Sequence, residues 1–108
     1  MTNILVFMTS AKKGEARRIV HTLLQKRLIA CANICGPVES HYWWQGRIEE
    51  AKEFLVLMKS KQKLFAKLAE TVKEMHSYEV PEILAVPIVE GFRPYLEWLN
   101  ANLVGAGE

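Results

Sequence analysis

No aspartate occurs in the 108 residues, so all twelve acidic side chains are glutamates. Triads that use Asp cannot form, and the chain also lacks a Gly-x-Ser-x-Gly elbow, a His-Glu-x-x-His pair and a Gly-rich phosphate loop. Cysteine is scarce. Cys31 and Cys35 are too few for a secreted disulfide scaffold, and on one strand their Cα atoms would lie ~13 Å apart, beyond the ~7 Å that a bridge spans. Reduced thiols are expected. The longest apolar runs, Ile4–Met8 and Phe54–Met58, fall far short of the ~18 residues of a membrane span, so no membrane partner is expected. Met1-Thr2-Asn3 shows neither the basic residues nor the cleavage site of a signal peptide, which predicts a cytoplasmic protein. Repeats, linkers and low-complexity tracts are absent.

Half of the residues are apolar and 24% are charged, the profile of a globular chain. Residues 1–108 read as a single domain. Size scaling for 12.4 kDa gives a compact folded surface of roughly 6,100 Å², enough burial for one core, so no metal is required for folding. The net charge of +2 is unevenly spread: Ala11 to Arg27 holds six Lys/Arg and one Glu, whereas His76 onward holds five Glu and one Arg. A solvated helix face explains that asymmetry as well as an anionic partner does.

Asn3–Thr9 is β-rich and apolar, and Ser10 or a neighbour is placed to cap the helix after it. Ala16, Ile19, Val20, Leu23, Leu24 and Leu28 recur at three- and four-residue intervals, predicting a helix over 13–28. A second strand runs from Ile29 to Cys35, breaks at Gly36-Pro37 and resumes from Val38 to Trp44. Gln45-Gly46 then signals a hairpin, with the return strand over 47–59. Ser60 is the expected N-cap of a second helix to about Glu74, striped by Leu64, Leu68, Val72 and Met75. His76–Pro81 reads as a loop, 83–89 as a fourth strand with Pro87 at an edge, and Pro94 as the first turn of a last helix bearing Tyr95, Leu96, Leu99 and Leu103. Residues 104–108 are expected to fray.

The order β-α-β-β-α-β plus a short C-terminal helix predicts an α+β, ferredoxin-like two-layer fold, with both long helices on one face of an antiparallel sheet. A strand facing water on one side should alternate in polarity. Ile4–Met8, Phe54–Met58 and Ile83–Val86 are instead apolar at both parities. Half of those side chains must be covered by something other than the helices, and a second copy of the chain is the expected cover.

Fold alone does not assign a function. The third strand begins Glu49-Glu50-Ala51-Lys52-Glu53, whose acidity and lack of stacking aromatics argue against nucleic acid on the sheet. The first loop, Met8-Thr9-Ser10-Ala11, lacks the thiolates of a soft-metal carrier. Cys31 is either a small packed hydrophobe or a nucleophile paired in space with His76. His76 itself is either a hydrogen-bonded loop imidazole or a transition-metal ligand. Trp43 and Trp44 must point to opposite faces, one anchoring packing or a subunit contact while the other lines a cleft. Glu53 and Lys59, six residues apart, share a strand face and could supply a polar lining or a salt-bridged edge.

Four ordered motifs, Leu24-Gln25-Lys26-Arg27-Leu28-Ile29-Ala30-Cys31-Ala32-Asn33-Ile34, Tyr42-Trp43-Trp44-Gln45-Gly46-Arg47-Ile48, His76-Ser77-Tyr78-Glu79-Val80-Pro81-Glu82-Ile83 and Tyr95-Leu96-Glu97-Trp98-Leu99, resemble the CutA family of divalent-cation tolerance proteins over nearly the whole chain. The resemblance implies a ferredoxin-like subunit in a homotrimer built through the sheets. It also implies a non-enzymatic cytoplasmic role in tolerance to copper or another divalent metal. An inter-subunit cleft would be lined by Cys31, Trp44, Lys59, His76, Tyr78, Glu79 and Glu82, with His76 as the metal ligand. Some members carry Cys and paired His where this chain has Met8 and Met75-His76; two thioethers and one imidazole would favour Cu(I) over Zn²⁺, although Met75 also completes the second helix's stripe. A different class of reading is a signalling trimer that binds a small anionic metabolite in that cleft, as the similarly built PII regulators do.

Overall fold

A computed structural model describes residues 2–105. The elements run β1 (Asn3–Ser10), α1 (Lys13–Gln25), β2 (Cys31–Trp44), β3 (Arg47–Lys61), α2 (Phe65–Met75), β4 (Ile83–Pro87) and α3 (Arg93–Ala101). The sheet order is β2-β3-β1-β4 with every neighbouring pair antiparallel, the ferredoxin-like arrangement. Ile4, Val6 and Met8 of β1 and Val56 and Met58 of β3 share one face, where they pack with Ala16, Ile19, Val20 and Leu23 of α1 and Leu68 and Val72 of α2. Met8 is fully buried and Met75 packs against the same cluster, so both thioethers serve the core. Among the described residues no helix is long and apolar enough to cross a membrane.

Several boundaries depart from the sequence expectation. α1 stops at Gln25 rather than Leu28: Arg27 takes φ 56°, its N–H donates to Leu24 O, and the Leu28 N–H reaches back to Leu23 O at 2.9 Å. That pair of bonds is a Schellman closure. Leu28 still packs in the core, as its place in the stripe requires, although its backbone is not helical. Ser60 is not an N-cap. Pairing of β1 with β3 continues to Asn3↔Lys61, which holds Ser60 in the strand, where its hydroxyl donates to Leu28 O at 2.7 Å. A 3-10 turn, Gln62–Leu64, then leads into α2. Ser10 is likewise not the cap of α1; the N-cap is Lys12, which makes no side-chain cap bond, while the Ser10 hydroxyl donates to Glu15. β4 ends at Pro87, two residues short of the expected Val89. Val104 is anchored, its N–H donating to Arg27 O, and the last three residues of the expected frayed tail, 106–108, lie outside the described residues.

β2 is continuous through Gly36-Pro37, with a register shift between Cys35 and Val38 in place of the expected break. Gly36 has φ +138°, and a Cβ there would lie 3.0 Å from Glu53 O and 3.1 Å from Val38 N. Beyond this bulge β1 no longer reaches β3, since its last pair is Ser10↔Phe54. Val38–Trp44 and Arg47–Glu53 therefore project as a two-stranded arm, closed at its tip by Gln45 and Gly46, both at positive φ as a type I′ turn needs. The arm explains a surface of 6995 Å² against the roughly 6,100 Å² of a compact chain of this mass.

The face opposite the helices carries Leu5 and Phe7, Leu55 and Leu57, and Leu84 and Val86. The last two are 47% and 42% exposed. α3 is fastened at one end of the sheet by reciprocal amide bonds between Asn3 and Asn100 of 2.9 and 3.2 Å. Replacing Gly36 with Ala should lower stability by about 1–3 kcal/mol, because β2 could not keep its bulge against Glu53 O. Chemical denaturation measures this; an unchanged midpoint would mean that the bulge relaxes freely.

Candidate functional site

The loop after α2 builds a buried polar knot. His76 closes the end of α2, its N–H donating to Val72 O, and Pro81 keeps the following segment extended. The imidazole is 0% exposed at its side chain. Its Nε2 lies 2.7 Å from Thr9 O, and a carbonyl only accepts, so Nε2 carries the hydrogen. Nδ1 in turn accepts the Tyr78 N–H at 3.0 Å. Both ring nitrogens are thus engaged within the protomer, and a metal at Nδ1 would have to displace the Tyr78 amide.

Glu15 of α1 completes the knot. It accepts the Ser10 hydroxyl at 2.6 Å and the Ser77 N–H at 2.8 Å, with the His76 Nδ1 3.7 Å away. Burial alone would push this carboxyl up, but the bonds from Ser10 and Ser77 outweigh it and hold Glu15 below the usual carboxylate range. Tyr78 lies against the His76 ring, centroids 4.8 Å apart, and its hydroxyl donates to Glu53 Oε2 at 2.7 Å. Burial first, and then the Glu53 carboxylate, push the phenol well above its usual range, so it stays a donor at neutral pH. The knot ties α1, β1, β3 and the loop to the base of the arm.

A second cluster sits elsewhere. Cys31 and Lys59 are cross-strand partners, and Leu5 and Val86 continue that row, which places both on the face away from α1 and α2. Lys59 Nζ donates to Cys31 Sγ at 3.8 Å and to Asn33 Oδ1. The Tyr95 hydroxyl of α3 is raised above the ordinary phenol range, by burial first and then by the Cys31 thiol. Both cysteines are free, as expected.

The candidate residues therefore occupy separate places in one protomer. Trp44 is at the arm tip, thirteen residues and roughly 40 Å along β2 from Cys31. Tyr78 belongs to the knot with His76, while Glu79 and Glu82 are exposed on the loop, where Glu79 O accepts from Lys73. Glu53 and Lys59, expected to act on one face, serve different clusters: about 20 Å of strand separates them, with Glu53 bound to Tyr78 and Lys59 to Cys31. Cys31 and His76 form no nucleophilic pair, because the first bonds Lys59 while the second is closed by Thr9 and Tyr78. Sequence reasoning missed Glu15, Asn33 and Tyr95. The signal for Glu15 was its position as the one acid among six cations over 11–27.

Together the ferredoxin-like sheet, the projecting arm and the knot after α2 define a small α+β domain. The sequence model described as CutA1 divalent ion tolerance protein matches residues 4–102. The "Divalent-cation tolerance protein CutA" of Archaeoglobus fulgidus is 42% identical over 98 residues, covering 91% of this chain and 95% of that one. Among solved structures, the divalent cation tolerance protein of Thermus thermophilus superposes with a TM-score of 0.91 at 44% identity, covering 94% of this chain and 98% of its own. CutA1 of Oryza sativa superposes with 0.94 at 36%, covering 97% and 96%. The chain belongs to the CutA1 family of divalent ion tolerance proteins.

Glu15→Gln should destabilise the protein by about 2 kcal/mol, through loss of charge-assisted bonds at a buried position. The pH signature has a defined sign. A carboxyl lowered from 4.5 contributes stability that is fully present above that value and lost as pH falls through the lower folded value, so the deficit of the variant should shrink in acid. Melting curves from neutral to acidic pH measure it; a pH-independent deficit contradicts the charged role.

Proposed function

We propose that this chain acts as a non-enzymatic homotrimer in the cellular response to divalent metal, copper foremost, with its binding sites in clefts between copies. The observation that carries this reading is the separation of the candidate residues. Trp44 and Cys31 lie at opposite ends of one long strand, so a shared cleft needs the arm of one copy laid against another. The arm is suited to that contact. Trp43, Trp44 and Ile48 are 71%, 55% and 66% exposed, a load of apolar surface that a two-stranded ribbon does not keep stable in water alone. Leu84 and Val86 on the uncovered sheet face add a second apolar surface.

Within such a cleft Cys31, Trp44, Lys59, Tyr78, Glu79 and Glu82 provide one thiol, one indole, one ammonium, one phenol and two carboxylates, a mixed lining for a small ligand or ion. His76 ligates a metal there only by exchanging the Tyr78 amide for the ion, which moves the segment Ser77–Glu79. Among the described residues no group of three His, Cys or Glu converges as a metal cage, so a tight metal site would draw on more than one copy. The two unpaired thiols suit a reducing cytoplasm.

Calorimetry with Cu²⁺ and Zn²⁺ on wild type and His76→Ala tests ligation: loss of a binding event in the variant supports His76, and identical isotherms remove it from the metal site. Ile48→Lys tests the arm independently. A charge at this apolar tip should weaken self-association by at least tenfold, read from the concentration dependence of size exclusion. An unaltered elution profile would show that the arm makes no subunit contact.

A further inference from the structure

α1 turns charge of one sign outward. Over residues 11–27 all six Lys/Arg are exposed, whereas Glu15, the one acid of the segment, is buried in the knot. The outer surface of the helix is therefore basic without interruption. Lys13, Arg17 and His21 stand four residues apart along one line with Arg18 beside them, and the exposed Lys12, Lys26 and Arg27 lie just beyond the two ends. Among the described residues none of the six Lys/Arg pairs with a carboxylate, and the Arg27 guanidinium donates to a carbonyl, Asn102 O, at 3.4 Å.

A helix face that is merely solvated mixes its charges, and α2 in the same layer does so. Its exposed side carries Lys67, Glu70, Lys73 and Glu74, with Lys67 and Glu70 paired at i,i+3. In α1, Lys13 and Arg17 instead repel at i,i+4, a spacing at which opposite charges would stabilise. Lys12 and Lys13 also sit at the N-terminus, where the helix dipole disfavours a cation. These electrostatic costs disappear when a polyanion lies along the helix.

We propose that the basic row of α1 is a docking surface for the phosphate backbone of a nucleic acid, bound without regard to base sequence. The row is linear and about 20 Å long, thirteen residues at 1.5 Å each, and a duplex presents one phosphate charge per ~1.7 Å of its axis. Three of the six cations are arginines, whose planar forks match phosphate oxygens. A protein partner fits poorly, because the face has no aromatic anchor and Leu24, 37% exposed, is its only large apolar contact. An anionic membrane also fits poorly: an interfacial helix buries its apolar stripe in lipid, and α1 has committed Ala16, Ile19, Val20 and Leu23 to the core. The same lack of aromatics leaves bases no stacking platform, so the contacts are to phosphate alone. The surface belongs to the helix layer, opposite the sheet face that the proposed assembly covers, and stays open whether or not copies associate.

Fluorescence anisotropy of a labelled DNA duplex of about 24 base pairs, titrated with the full chain between about 50 and 200 mM salt, tests the surface. Wild type should bind with a Kd of about 10⁻⁵ M at low salt, and log K should fall against log salt with a slope of about −4 to −5, the counterion release of about five phosphate contacts. Arg17→Gln/Arg18→Gln should lower affinity by about tenfold or more and flatten the slope by about 2. Lys67→Glu makes the same change in net charge on α2 and should leave binding within about twofold of wild type. All three positions are exposed, so the variants fold; matched melting curves verify it. No binding at about 100 µM chain and low salt overturns the proposal, as do equal losses in the two variants, which would assign binding to net charge rather than to α1. Tighter binding to phosphatidylserine vesicles than to the duplex, lost in the arginine variant, also overturns it by assigning the face to a membrane.

Discussion

Two helices laid on one side of a four-stranded sheet leave its other side uncovered, and this geometric constraint governs the rest of the molecule. Leu5, Phe7, Leu55, Leu57, Leu84 and Val86 line the uncovered side, and α3 closes only one end of it. The unequal reach of the strands adds to the constraint. β3 has fifteen residues and β1 eight, so where β1 ends the β2–β3 pair continues alone as an arm tipped with tryptophan. Both features expose apolar surface of the kind that association buries, at a favourable ~25 cal/mol per Å² before the losses of docking are counted. In the proposed reading, function is tied to how copies meet.

Against that apolar framework the buried polar knot has a mechanical role. Two strings of hydrogen bonds, Ser10–Glu15–Ser77 and Thr9–His76–Tyr78–Glu53, meet where Glu15 and His76 approach to 3.7 Å and run from the start of α1 to the base of the arm. Among the described residues each buried side-chain nitrogen and oxygen has its partner, as buried groups require. The knot fixes the loop that carries Glu79 and Glu82 relative to the arm that carries Trp44. A residue set that looks like a ligand list in sequence is thus partly a brace, with His76 its central member.

The fold was legible because its periodicities are strong. The stripe of α1, the alternation along the arm and the Gln45-Gly46 turn each specify local structure through side-chain spacing, and the β-α-β-β-α-β order then leaves few topologies. What stayed hidden depends on contacts distant in sequence. Nothing local marks Arg27 as the left-handed residue of a helix stop, or Ser60 as a strand residue bonded to Leu28 O; the second follows from β3 pairing through to Asn3. The site was less legible still. Spacing singled out His76 as chemically interesting but could not show that Thr9 O and the Tyr78 amide occupy its two nitrogens. The motif resemblance brought together residues that one chain holds tens of ångströms apart, which spacing along the sequence could not reveal.

The central claim is that one copy cannot shield its own apolar face and arm. Sedimentation equilibrium of the wild-type chain at micromolar concentration tests it most directly. The account predicts a single species with about three times the 12.4 kDa chain mass. A stable, folded species at the mass of one chain, unchanged as concentration rises, would contradict it.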